Sequence, residues 1–126
     1  MVERRKVKHK LYYDEQNKIL VLDILGEYTF KDAQETIQLT RVSYENKSPY
    51  PLLVDLEKAT TNIGRDARRF LQDEAGKLGI SQMAMVVTNP MIRMTAKILA
   101  AAMGKNNETG FFKTREDALN WLKGEK

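Results

Sequence analysis

Residue types that perform covalent or acid–base chemistry are scarce in this chain of 126 residues. There is no cysteine, and the one histidine, His9, follows a run of basic residues near the N-terminus. The chain therefore has no thiolate for catalysis, for metal binding or for a disulfide. It also lacks the G-x-S-x-G elbow of serine hydrolases and the glycine-rich motifs that bind nucleotide phosphates. We expect His9 to be a solvated strand residue, and we expect a protein that is not an enzyme and uses no metal or other cofactor.

The polar residues best placed for binding follow two apolar segments that resemble buried strands, Pro51–Leu56 and Met83–Val87. The carboxyl ends of parallel strands meet at one edge of an α/β sheet, beside helix N-termini, and ligands gather there. Capping and turn formation require many of the same residue types, which is the alternative explanation. The predicted contact surface for an anion or a protein partner consists of Asp55, Thr60, Thr61, Asn62, Gly64, Arg65, Asn89 and Arg93.

Arg65 and Arg93 each fall in the first turn of a predicted helix. The helix dipole disfavours a cation there by about 0.3–1 kcal/mol. We therefore expect the two arginines to serve a binding site for an anion or an acidic partner residue. The alternative is that each arginine forms an ion pair with a nearby acid, Asp55 or Glu57.

Methionines are concentrated on the second of these segments and on the helix that follows it. Five of the six lie within the 21 residues from Met83 to Met103. Methionine fills irregular cores, but it also lines apolar pockets and adaptable surfaces. Core filling, a pocket and a dimer face are all compatible with this pattern. A pocket would be formed by Met83, Met85, Met91 and Met94, and would make the protein a carrier of a small apolar, lipid-like ligand.

The net charge of +4 belongs to one short segment. The first ten residues contain five basic residues and one acidic residue, and the other 116 contain 16 of each sign. A nucleic-acid-binding domain spreads its basic residues over a face and interleaves them with aromatic side chains. We interpret residues 1–6 as a basic N-terminal arm and expect no nucleic-acid partner.

The composition, 42% hydrophobic and 30% charged, is typical of a single globular domain, which we assign to residues 1–126. No apolar run reaches the roughly 18 residues that a transmembrane helix needs, and no signal peptide is visible. We therefore expect a cytoplasmic protein.

Two strands open the predicted fold and form an antiparallel hairpin. Val7–Tyr13 alternates, Asp14–Asn17 is a turn, and Ile19–Leu25 is rich in β-branched residues. Two further strands, Pro51–Leu56 and Met83–Val87, are continuously apolar, as buried parallel strands are. A short strand is expected at Gly110–Phe112.

Four helices are predicted between and after these strands. Thr29 and Thr114 each begin a capping box, and Asn89 followed by Pro90 is a strong helix start. The helix Met91–Met103 is apolar nearly all round, so we expect it to be largely covered. The order β-β-α-β-α-β-α-β-α predicts an α/β domain with a mixed, mostly parallel five-stranded sheet and helices packed on it.

The whole pattern resembles the STAS domain, the fold of bacterial anti-sigma-factor antagonists, and more narrowly the small bacterial STAS/CRAL-TRIO-like proteins. The resembling segments cover nearly the full chain. They are Pro51-Leu52-Leu53-Val54-Asp55-Leu56, Ala67-Arg68, Asn89-Pro90 with Arg93 and Ala96, and the closing strand and helix from Phe111 to Leu122.

The resemblance implies a domain that binds another protein and performs no catalysis. In the antagonists, binding is switched by phosphorylation of a serine at the start of the helix that follows the third strand. Gly64 stands at that place in this sequence, and the nearby hydroxyls of Thr60 and Thr61 do not occupy it. The expected function is therefore binding of a protein partner, a second copy of the chain or a small anionic ligand without this phospho-switch. The apolar-ligand carrier is the competing interpretation.

Overall fold

Five strands and four helices follow one another in the predicted order, β-β-α-β-α-β-α-β-α. The computed structural model describes residues 9–47, 49–60, 63–103 and 108–124, so the basic arm assigned to residues 1–6 lies outside the described part. The strands are β1 (Lys10–Asp14), β2 (Ile19–Asp23), β3 (Tyr50–Asp55), β4 (Ile80–Val86) and β5 (Glu108–Phe112). The helices are α1 (Phe30–Tyr44), α2 (Arg65–Glu74), α3 (Pro90–Met103) and α4 (Arg115–Leu122).

The strands form one sheet in the order β1-β2-β3-β4-β5. β1 and β2 are antiparallel, and every later pair is parallel, which confirms the predicted mixed sheet. The hairpin turn is held by the Asp14 carboxylate, which accepts hydrogen bonds from the backbone and side-chain nitrogens of Asn17 at 3.1 and 2.8 Å. These two bonds lower the pKa of Asp14. The turn ends at Lys18, whose φ of 59° lies in the left-handed region.

The helices divide between the two faces of the sheet. α1, α2 and α3 cover the face to which Leu20, Val54, Met83 and Met85 point, and α4 covers the opposite face. On the α4 side, Leu53 and Ala84 from the central strands pack against Ala118 and Leu122, with Trp121 and Phe112 beside them. The alternation of side chains along β3 and β4 therefore produces two separate apolar clusters.

Three predicted helix starts are confirmed by their caps. Thr29 and Asp32 form a reciprocal capping box at α1. The Asn89 side-chain oxygen accepts hydrogen bonds from the backbone nitrogens of Met91 and Ile92 at 2.9 and 3.2 Å. Thr114 accepts a hydrogen bond from the Asp117 nitrogen at α4. Each cap satisfies backbone donors that the first helical turn leaves without partners.

His9 is not a solvated residue, so that prediction was wrong. It is 3% exposed, and its Nδ1 accepts a hydrogen bond from the Leu25 nitrogen at 2.9 Å. Its Nε2 lies 3.3 Å from the Asp32 carboxylate, and its ring meets the edge of Tyr28 at 5.1 Å. The histidine thereby joins the start of β1 to the capped start of α1. Sequence spacing gave no sign of this, because its partners lie 16 or more residues away.

The expectation that α3 is largely covered is wrong on one face. Ile92, Ala96 and Ala100 are buried against the sheet, but Met91, Met94 and Ile98 are 67%, 64% and 49% exposed. These three side chains follow the spacing i, i+3, i+7 and therefore form one stripe along the helix. No described helix is both long and apolar enough to span a membrane.

Two substitutions test which face of α3 is buried and which is exposed. Ile92→Asp places a charge without a partner in the core, which costs several kcal/mol against a total stability of about 5–15 kcal/mol. We expect this variant to be unfolded at room temperature. Ile98→Asp changes an exposed side chain, and we expect its free energy of unfolding to stay within about 1 kcal/mol of wild type. Thermal melts with size-exclusion chromatography measure both; unfolding of Ile98→Asp would show that this face is packed.

Candidate functional site

The carboxyl ends of β2, β3 and β4 and the starts of α2, α3 and α4 lie at the same edge of the sheet, which we call the carboxyl edge. The loops after β2 and β3 are joined there. The Gly26 nitrogen donates to the Lys58 carbonyl at 2.9 Å, and the Thr60 nitrogen donates to the Gly26 carbonyl at 3.1 Å. Gly26 has a φ of 92°, which favours glycine. This pairing fixes the backbone of Thr60, whereas Thr61 and Asn62 lie outside the described residues.

Arg115 is the most highly connected side chain at the carboxyl edge, and the sequence analysis missed it. Asp23 and Asp55 are register partners at the ends of β2 and β3. The Arg115 guanidinium donates to Asp55 from Nε at 3.2 Å and from Nη2 at 2.9 Å. Nη2 also contacts Asp23, and Nη1 donates to the Tyr12 hydroxyl at 3.2 Å. We name Arg115, Asp23, Asp55 and Tyr12 the Arg115 cluster.

The Arg115 cluster holds its charges in place. Partial burial alone lowers the pKa of Arg115, but the hydrogen bonds to Tyr12 and Asp55 and the charge of Asp23 outweigh it, so the pKa is raised. The predicted binding residue Asp55 is therefore engaged inside the protein, and its partner is Arg115 rather than Arg65 or Arg93. No local sequence signal pointed to Arg115, because the two aspartates with which it pairs lie 92 and 60 positions away along the chain.

Arg65 lies in a groove between α1 and α2, not beside Asp55. The groove is lined by Phe30 of α1 and by Arg65, Asp66, Arg69, Phe70 and Asp73 of α2. Phe30 and Phe70 meet edge to face at 5.5 Å between ring centroids. Gly64 caps α2 with no side chain, while the Asp66 carboxylate accepts a hydrogen bond from the Ala67 nitrogen at 2.8 Å. Two acids thus accompany Arg65 and Arg69, so the groove has no excess positive charge.

Arg93 is on α3 and has a different environment. Its Nε is buried and has no hydrogen-bond acceptor in the described part of the chain. The backbone nitrogens of the first turn do not form an open anion site beside it, because the Asn89 cap uses those of Met91 and Ile92. Thr88 adds a further link by donating to Glu57 at 3.3 Å. The side chains of Asn89 and Thr88 therefore stabilise the turn before α3. The Nε of Arg93 is a buried donor without an acceptor among the described residues.

The four methionines predicted to line a pocket lie in two different environments. Met83 and Met85 are buried and line an apolar cavity of about 90 Å³ between α1, α2, α3 and the sheet. Met91 and Met94 are exposed on α3 and do not line it. Two hydroxyls at the cavity wall are paired, since those of Tyr28 and Thr36 share a hydrogen bond of 2.5 Å. Burial raises the pKa of Tyr28, so its hydroxyl stays neutral.

Metal ligation has no support in the described residues, which contain no group of three or more histidine, aspartate or glutamate side chains positioned for an ion. The carboxylates that do meet, Asp23 and Asp55, are bridged by Arg115.

The arrangement of sheet and helices defines a SpoIIAA-like α/β protein, the STAS-like class that the sequence resembled. The structure is similar to the crystal structure of an uncharacterised DUF3478-family protein with a SpoIIAA-like fold from Shewanella loihica PV-4. The TM-score is 0.67 with 16% sequence identity, over 90% of this chain and 91% of that one. The chain belongs to the family described as "Domain of unknown function (DUF7793)", whose model matches residues 13–126. No curated protein matches the chain.

Removing the cation of the Arg115 cluster tests its structural role. Arg115→Met leaves two adjacent carboxylates without compensation, and we expect a loss of about 1–3 kcal/mol in the free energy of unfolding at pH 7. Protonation of one carboxyl relieves the repulsion, so the deficit relative to wild type should shrink between pH 7 and pH 4. Urea denaturation at both pH values measures this.

Arg69→Met, which removes an exposed arginine of α2, is the matched control and should change stability little at either pH. A second variant, Arg115→Met with Asp23→Asn, should recover part of the loss. An equal deficit at both pH values, with no recovery in the double variant, would contradict the electrostatic explanation.

Proposed function

We propose that the protein is a non-enzymatic, cytoplasmic interaction domain that binds a protein partner through the exposed face of α3 beside the carboxyl edge. The observation that carries this proposal is the stripe formed by Met91, Met94 and Ile98. Three large apolar side chains in one row on the helix surface contribute little to the stability of the domain while they face water. Burying them against a partner lowers the free energy by about 25 cal/mol per Å² of apolar surface removed from water. Methionine suits such a surface because its flexible side chain adapts to the partner's shape.

A protein partner fits this edge better than a small anion does. Of the residues predicted to bind an anion, Asp55 is paired with Arg115, Asn89 caps α3, and Arg65 lies in a groove with two aspartates. Arg93, another residue predicted to bind an anion, has a buried Nε without an acceptor among the described residues. One arginine beside an apolar stripe is typical of a protein interface, where arginine and methionine are enriched.

The glycine at position 64 supports the proposal that binding is not controlled by the phospho-switch of the antagonists. It is the N-cap of α2 and has no hydroxyl to phosphorylate. Of the described residues, a Cβ at this position would meet the Asp66 carboxylate alone, at 3.4 Å, so these residues leave space for a side chain at position 64. A phosphorylation switch at the start of α2 therefore cannot use the residue at position 64.

The proposed surface is tested by comparing two exposed apolar positions. Met94→Asp alters the stripe on α3, while Val42→Asp alters an equally exposed apolar side chain on α1. We expect both variants to melt close to wild type. Quantitative mass spectrometry of proteins co-purified from the native organism should show a defined partner that is lost with Met94→Asp and kept with Val42→Asp. The same proteins recovered with both variants would contradict the assignment of the surface.

A second candidate function, carriage of an apolar ligand, is favoured by the cavity that Met83 and Met85 line. Its volume of about 90 Å³ is smaller than the roughly 150 Å³ of an engineered cavity that binds benzene. The cargo would be a small apolar molecule or the end of a longer chain.

Native mass spectrometry of freshly purified protein tests the carrier function. A carrier should show a reproducible added mass that disappears on denaturation. Ala75→Leu, which enlarges a buried side chain at the cavity wall, should reduce the bound fraction. Detection of the bare chain mass alone, under conditions that retain a known noncovalent ligand in a control protein, would count against this function.

A further inference from the structure

Given the proposed function, we infer that the partner contacts α3 with an acidic, amphipathic helix. The surface that it would meet, the α3 contact surface, consists of Arg68 of α2 and Met91, Arg93, Met94, Lys97 and Ile98 of α3. An apolar stripe runs along its middle, and the basic residues lie on both sides.

The acidic side chains of α2 all face away from this surface. Asp66 and Asp73 line the groove toward α1 with Phe70. Glu74 accepts a hydrogen bond from the Arg41 guanidinium of α1 at 3.1 Å and forms an ion pair with it. Arg68 is two residues from Phe70, which corresponds to about 200° around the helix. Arg68 therefore lies on the flank of α2 toward α3, where no acid of α2 accompanies it.

The charges of α3 are also unbalanced, since Pro90–Met103 contains two basic residues and no acidic one. Lys97 lies over the Phe111 ring of β5, with its Nζ 5.9 Å from the ring centroid. Arg93 is one helical turn earlier on the same flank. Its Nε is buried and has no acceptor among the described residues, and its guanidinium forms no ion pair with a described acid. A carboxylate from the partner would balance the positive charge that Arg93 and Lys97 place on this flank.

The shape of the stripe favours a helix as the docking segment. Met91 to Ile98 covers two turns, about 10 Å, in a straight row. A partner helix that packs on such a row presents apolar residues at i, i+3 or i+4, and i+7, and can place acids on both sides of them. Its acids would then face Arg68 on one side and Arg93 and Lys97 on the other.

The positive charge of the α3 contact surface disfavours a second copy of the chain as its partner. In a twofold dimer this surface would meet itself, and its basic residues would face one another without an acid between them. A single-stranded nucleic acid favours aromatic side chains that stack on its bases, and the α3 contact surface has none. A duplex favours more basic side chains than the three on this surface. An anionic membrane would favour a broader apolar face than one row of three side chains.

The test is photo-cross-linking in the native organism. Benzoylphenylalanine replaces Met91 or Met94, with Val42 as the control position on α1. We expect one protein to be cross-linked at 91 and 94 but not at 42, and the attached peptide to be a helix with net negative charge. Arg93→Glu should then weaken binding of that purified protein at least tenfold. Lys31→Glu, an equal charge change on exposed α1, should leave binding unchanged.

The possible outcomes separate this inference from the proposed function. A cross-linked segment that is neutral, basic or not helical would overturn the acidic-helix inference and leave the protein-binding function standing. Absence of any protein specific to positions 91 and 94 would overturn both. Sedimentation of the wild type, but not of Met94→Asp, with phosphatidylglycerol vesicles would assign the surface to a membrane. A dimer in analytical ultracentrifugation that Met94→Asp dissociates would assign it to a second copy.

Discussion

The arrangement at the carboxyl edge depends on the contact between one guanidinium and two carboxylates. β2 and β3 are paired in a register that places Asp23 beside Asp55, and neighbouring strands are only about 5 Å apart. Two charges at that separation repel each other unless a cation joins them. The cation, Arg115, comes from the first turn of α4, although the strand before α4 is two places away from β3 in the sheet. α4 must therefore cross the sheet toward β3. The Tyr12 contact extends the same link to β1, so the last helix is tied to the first hairpin.

This internal neutralisation determines which charges are left unpaired. On the α4 side of the sheet, Asp23 and Asp55 are paired with Arg115. On α2, Glu74 is paired with Arg41 of α1, and Asp66 and Asp73 line the groove toward α1. Arg68, Arg93 and Lys97, which border the apolar stripe of α3, form no ion pair with another described residue. A basic border beside the apolar stripe of α3 thus arises without any excess of basic residues in the chain outside its arm, because the acids are placed elsewhere. Total charge, which is neutral over residues 11–126, gives no indication of this surface.

Features that depend on neighbouring residues were predictable, and features that depend on distant contacts were not. The caps at Thr29, Asn89 and Thr114 follow from residues within one helical turn, and the order of elements along the chain follows from the alternation of strand and helix patterns. Arg115 reaches Asp55 across 60 positions, and His9 reaches Leu25 across 16. In a sequence both look like ordinary basic surface residues. Met91 and Met94 were grouped with Met83 and Met85 by proximity, but a helix and a strand point their side chains in unrelated directions.

The exposed stripe on α3 has a topological origin. α3 connects β4 to β5, and β5 is the last strand of the sheet. Among the described helices, α2 packs beside α3 on this face, and no described helix covers the side of α3 where Met91, Met94 and Ile98 are exposed. A helix in the middle of the layer has neighbours on two sides, so an apolar sequence nearly all round the helix would be covered there. At the border of the layer the same sequence leaves one face in water. The apolar side chains of that face add little to the stability of the isolated domain, and their burial contributes free energy only when another molecule takes the place of the missing neighbour.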